Sequence, residues 1–94
     1  MVDPIYDWDP QKAASFIARH AVSFQSAIEA LQDPDAFVEP DPYRHEDRWR
    51  TTGRRTVGLL FIVTTEPADD TIRIISAREA TKHETAIYDR NARP

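Results

Sequence analysis

Apolar positions recur at helical spacing through the first third of the chain and alternate, as in strands, through most of the rest. Ile5-Tyr-Asp-Trp8 alternates briefly, the tyrosine apart, and predicts a short strand. Asp9 and Pro10 then form a helix start. Aspartate suits the N-cap, and proline at the first helical position gives up no hydrogen bond. Ala13, Phe16, Ile17 and His20 follow at i, i+3, i+4 and i+7, one face of that helix, with His20 expected in the core. Ser23 caps a second helix from Phe24 to about Leu31, with Phe24, Ala27, Ile28 and Leu31 inward, and Asp33-Pro34-Asp35 stops it.

Ala36–Val38 predicts a short strand, followed by the connection Glu39-Pro-Asp-Pro42. Arg48–Thr52 reads as a strand with Arg48 and Arg50 on one face and Trp49 on the other. Gly53-Arg-Arg-Thr56 is a turn, Leu59–Thr65 a central strand, Glu66–Asp70 a turn and Thr71–Ala77 the last strand. Ser76 and Glu79 match a capping box, which predicts a helix from Ala77 to about Asp89. The expected order is β-α-α-β-β-β-β-α. It describes an antiparallel sheet packed by an N-terminal helical hairpin and a C-terminal helix, an α+β fold in one domain over residues 1–94. Trp8, Phe16, Phe24, Trp49 and Phe61 are its expected core aromatics.

Composition removes several function classes. The chain has no cysteine, so disulfides, zinc–thiolate sites and thiol nucleophiles are out. Two glycines, Gly53 and Gly58, make no phosphate-cradling loop, and three scattered histidines have no metal-ligand spacing. No cofactor and no metal are expected. No apolar run approaches the roughly 20 residues of a membrane span. Met-Val-Asp-Pro lacks the marks of a signal peptide, so a cytoplasmic protein with no membrane partner is expected. The net charge of −4 is unevenly spread. Residues 1–42 carry eight acids against two bases, whereas residues 43–94 carry ten bases against eight acids. One mildly basic surface beside an acidic one is the expectation.

Several segments together resemble the BrnT family, the toxin halves of bacterial type II toxin–antitoxin pairs. They are Tyr6-Asp-Trp-Asp-Pro-Gln-Lys12, Arg19-His-Ala-Val-Ser-Phe24, Asp33-Pro34, Glu46-Asp-Arg48, Gly53, and Ile72-Arg-Ile-Ile-Ser-Ala-Arg78 with Glu84 and Tyr88. The family usually has lysine in place of Arg19 and glycine in place of Ala21, and an asparagine of its first helix is absent here. None of these departures touches the C-terminal cluster. The resemblance implies a RelE-like ribonuclease fold that blocks translation by cutting RNA. It also implies a BrnA-like antitoxin with a ribbon-helix-helix part, and operator DNA bound only through that antitoxin.

RNA can be cut without a metal because its 2′-hydroxyl can attack the adjacent phosphorus. The protein must then move protons and stabilise phosphoryl charge. Arg78, expected in the first turn of the last helix, is the first choice for the phosphate; the alternative is an ion pair with Glu79 or Glu84. His83, Glu84 and Tyr88 share a face of that helix with Ala80 and Ile87. His83 would carry protons, Glu84 would orient or replace it, and Tyr88 would stack on a base or bind a phosphate. The alternative is that this face only packs. Arg48 joins the catalytic candidates. Arg73, Arg50 and Arg54 are expected to bind RNA, with a cross-strand ion pair as the alternative for Arg73. A competing reading is a non-catalytic protein that binds the antitoxin in operon autoregulation. A free-standing RNA-binding domain is disfavoured because no aromatic residues interleave with the arginines as a stacking platform would need.

Overall fold

The computed structural model describes residues 3–20, 22–43 and 45–92, without the side chains of residues 13, 16–18 and 20. The inward face expected of the first helix, His20 included, therefore lies outside the described residues. The elements are β1 (Ile5–Trp8), α1 (Pro10–His20), α2 (Phe24–Leu31), β2 (Phe37–Asp41), β3 (Arg48–Arg54), β4 (Leu59–Ala68), β5 (Thr71–Glu79) and α3 (Lys82–Asn91). Both early caps form locally. The Asp9 carboxylate accepts the Gln11 N–H at 2.9 Å, and the Ser23 hydroxyl accepts the Ser26 N–H at 3.1 Å.

The five strands form one sheet in the order β1-β5-β4-β3-β2. The neighbours β2–β3, β3–β4 and β4–β5 are antiparallel, but β1 lies parallel to β5. The sheet is thus mixed, not antiparallel as expected. Everything between β1 and β5 intervenes in sequence, and no turn forces the direction in which the first strand joins the edge. The opposite edge, β2, runs into the segment read as a connection and includes Pro40, which an edge strand tolerates.

One face of the sheet is the core. Trp8, Leu60, Ile62, Ile74 and Ala77 pack there against Val22, Ala27 and Ala30, with Phe24 and Leu31 beside them. The Trp8 and Phe24 rings meet edge-on at 5.5 Å. Gly53 lies under α2, where any Cβ would overlap the Ala30 carbonyl oxygen. The β3–β4 hairpin turns at Arg55–Gly58, two residues later than expected, with Gly58 at φ 81°. Trp49 is not in the core; it is 36% exposed on the helix-packed face of β3, next to Val38 and Leu31.

The largest correction concerns the chain's last third. β5 continues through Arg78 to Glu79, and α3 starts only at Lys82. Ser76 and Glu79 form no cap; Thr81 and Glu84 form the capping box instead. A ladder partner decides between the two. Phe61 and Leu60 pair with Arg78 and Glu79, and extending the strand buries Ala77 against the core. Arg78 is consequently a strand residue, and no helix dipole bears on it in the way expected.

Candidate active site

The face opposite the core carries nearly all the candidates, and strand register arranges them in three rows. The first runs Arg78, Phe61, Thr52, Phe37 across β5 to β2, and the second Ser76, Val63, Arg50, Glu39. The third runs Asp7, Arg73, Thr65, Arg48, Asp41 across all five strands. Arg73 and Arg78 are an odd number of residues apart, so plain alternation would set them on opposite faces. A bulge prevents this. Val63 pairs with Ser76 but Thr64 pairs with Ile74, which leaves Ile75 as an extra residue and returns Arg73 to the open face.

Arg78, at the β5 end of the first row, pairs with Glu84 of α3. Nη1 and Nη2 of Arg78 donate to Oε1 and Oε2 of Glu84 at 2.8 and 2.9 Å, and Nη1 also donates to the Glu79 carbonyl at 3.1 Å. The guanidinium carbon lies 4.3 Å from the Phe61 ring centroid. Glu84 additionally accepts the Thr81 N–H at 2.8 Å as part of the capping box. Hydrogen bonding from Arg78 holds the Glu84 carboxyl below its usual value against the opposing effect of burial. The same pair raises the Arg78 guanidinium above its ordinary value. Glu84 therefore accepts three hydrogen bonds, two of them from Arg78. Because it takes the two Nη atoms end-on, the Nε–Nη2 edge of Arg78 stays available for a second bidentate partner.

His83 is exposed and joins Glu84 and Ile87 of α3 with Phe37, Glu39, Arg50, Thr52 and Phe61 around a cleft of about 130 Å³. Arg50 is held from the edge strand, its Nε 3.2 Å from Asp41 and Nη1 3.7 Å from Glu39. Arg48 donates from Nε and Nη2 to a single Glu46 oxygen at 3.0 and 2.7 Å. Arg73 is paired with Asp7 of β1 at 2.8 Å, the cross-strand ion pair of the alternative reading. Its hydrogen bond keeps the Asp7 carboxyl below its usual value. Among the described residues four arginines thus share this face with five carboxylates (Asp7, Glu39, Asp41, Glu46 and Glu84), so this face is charge-paired and not simply basic.

Tyr88 and Arg54 lie elsewhere. Tyr88 is only 3% exposed, with its hydroxyl donated to Asp33, so its ring offers no face to a base. Arg54 sits over that ring at 5.5 Å, and its backbone N–H also donates to Asp33. The sequence reading missed Asp33 as the anchor, along with Tyr43 and His45. The Tyr43 ring carries the Arg48 guanidinium 3.8 Å from its centroid and meets His45 edge-on at 5.2 Å. The order Tyr43, His45, Arg48 was the available signal, since it places aromatic rings beside an arginine after all. Among the described residues no group of three or more His, Cys, Asp or Glu is arranged to hold a metal ion, and no helix is long and apolar enough to cross a membrane.

The fold defines the class first: an α+β domain with a five-stranded mixed sheet packed by helices. It superposes on the crystal structure of the Brucella abortus ribonuclease toxin BrnT with a TM-score of 0.63 at 20% identity, covering 86% of this chain and 100% of that one. Residues 8–84 match the family described as the ribonuclease toxin BrnT of type II toxin–antitoxin systems. The chain belongs to that family, and a type II toxin has an antitoxin as its partner. No curated protein matches the sequence.

Proposed function

We propose that this toxin is a metal-independent endoribonuclease of RelE-like type that works at the cleft between α3 and the open sheet face. The 2′-oxygen forms a bond to phosphorus while the bond to the 5′-oxygen breaks. A base takes the 2′ proton, an acid protonates the departing oxygen, and the products are a 2′,3′-cyclic phosphate and a 5′-hydroxyl. Arg78 binds the phosphoryl oxygens through its Nε–Nη2 edge, and Arg50 adds charge from the next row. His83 moves the protons. Glu84 fixes Arg78 and does not act as the base. Arg73 contacts a flanking phosphate by exchanging Asp7 for it, while Arg48 keeps Glu46 and adds charge to the open face. Tyr88 and Arg54 hold α3 in place. In the cell, cutting RNA stops translation in the cytoplasm. A BrnA-like ribbon-helix-helix antitoxin covers the open face and carries the pair to operator DNA.

The observation that carries this reading is the end-on Arg78–Glu84 pair, which orients a guanidinium with one bidentate edge left over and joins it, through Glu84, to the cleft that the exposed His83 also lines. A second reading, a non-catalytic protein that binds the antitoxin, draws on the carboxylate partners of the four arginines. One experiment separates them. Purified toxin is incubated with end-labelled single-stranded RNA in EDTA. Fragments ending in cyclic phosphate support the proposal. Intact RNA, with folded protein and with or without added Mg²⁺, favours the second reading.

A further inference from the structure

Tyr43 and His45 lie outside the cleft described above, yet they sit on the same side of the sheet beside Arg48. Their arrangement is built and not incidental. Glu46 clamps the Arg48 guanidinium through Nε and Nη2, and its other oxygen lies 3.5 Å from the Thr65 hydroxyl, which also donates to the Asp47 carbonyl at 3.0 Å. The Tyr43 N–H donates to Asp41 Oδ1 at 3.0 Å, which fixes the start of the loop. The plane of Arg48 then backs the Tyr43 ring at 3.8 Å, with the His45 ring at 69° to it. Even so, Tyr43 remains 41% exposed. An aromatic ring held in place this firmly but left in water offers a π-surface ready for a flat ligand.

We propose that Tyr43, His45 and Arg48 form a nucleobase subsite that receives one unpaired base of the RNA next to the scissile phosphate. The inference rests on the ribonuclease reading above. Arg48 and Arg50 are alternate residues on one face of β3, about 7 Å apart along the strand, and Arg50 lines the cleft with His83 and Glu84. A chain whose phosphate lies at Arg78 and Arg50 would bring a neighbouring base onto Tyr43. Stacking on an aromatic ring requires an unpaired base, so the subsite selects single-stranded RNA. Glu46, beside the stack, can accept a hydrogen bond from an exocyclic amino group at the base edge. The site thereby contributes sequence preference as well as affinity.

The test uses fluorescence anisotropy with a short single-stranded RNA whose 2′-hydroxyl is removed at the cleavage position, alongside cleavage of the unmodified RNA. Tyr43→Leu is expected to weaken binding about tenfold, whereas Tyr43→Phe, which keeps the ring, stays within about twofold. An abasic substitution at one position should weaken the wild type but not Tyr43→Leu. If Tyr43→Leu does not fold, as read by thermal melting, His45→Ala provides the same comparison. Wild-type and leucine variants that bind equally, while the wild type still cuts RNA, overturn the subsite and leave the ribonuclease reading standing. A folded wild type that cuts no RNA overturns both. Equal RNA binding combined with weaker antitoxin binding by Tyr43→Leu would assign the platform to the partner protein and overturn the proposal.

Discussion

The hydroxyl of Tyr88 donates to Asp33 Oδ2 at 2.7 Å, across 55 residues of sequence. The same oxygen accepts the Arg54 N–H at 2.8 Å, and Oδ1 accepts the Asp35 N–H at 2.9 Å. One carboxylate after α2 therefore ties α3 to the end of β3. Since α3 carries His83 and Glu84, this remote contact sets one wall of the cleft.

Tyr88→Phe keeps the buried ring but removes a hydrogen bond to a charged acceptor, which costs about 1.5 kcal/mol. A melting temperature lower by roughly 6–12 °C is expected for a domain of this size. Calorimetry checks it; an unchanged melting temperature would show that Asp33 does not anchor α3.

Asp33 and Glu84 make the fold acid-sensitive. Burial pushes Asp33 up, but hydrogen bonds from Tyr88, Asp35 and Arg54 outweigh it and leave the carboxyl below its ordinary value. Glu84 is lowered chiefly by Arg78. A carboxyl depressed in the folded state stabilises above its unfolded pKa and loses that contribution as pH falls through the folded value. Melting temperature should hold steady from pH 7 to 5 and drop below about pH 4. Asp33→Asn combined with Glu84→Gln should lower stability at pH 7 and flatten the acid limb.

Gly53→Ala places a methyl group against the Ala30 carbonyl of α2, a backbone atom that cannot rotate away. A loss of about 2 kcal/mol or more is expected, measured by urea unfolding. Gly58→Ala, at φ 81° but with open space around it, should cost less, about 1 kcal/mol.

Arg78→Lys retains charge but cannot hold Glu84 and a phosphate through two separate edges. Turnover on RNA should fall by about 10²–10³-fold. His83→Gln, at an exposed position, should leave stability within about 0.5 kcal/mol while lowering turnover at least about 10²-fold. Cleavage assays beside melting curves separate the two effects. Wild-type turnover in either variant would remove that residue from the mechanism.

Local chemistry was readable from residues alone. The aspartate and proline that start α1, the serine that caps α2 and the alternation within β3 and β4 depend on neighbours a few positions apart, so their spacing in sequence is their spacing in space. The segments that identify the family are linear as well; Arg48, Arg73, Arg78 and Glu84 could be singled out from them, and Arg50 and His83 from strand and helix spacing. Tertiary structure alone decided whether Ser76 or Thr81 would cap the last helix, because pairing with β4 carried the strand past the first candidate. It also set β1 parallel to β5, and it inserted Ile75 as a bulge so that Arg73 and Arg78 share a face. Tyr88 was drawn into a structural contact by Asp33, and Tyr43 was set against Arg48, through pairings that no local pattern encodes. In each case burial and ladder hydrogen bonds gathered across the whole sheet outweigh a preference of a few tenths to about 1 kcal/mol at one residue. Sequence patterns therefore marked which residues carry the chemistry, and long-range strand pairing determined which of them meet.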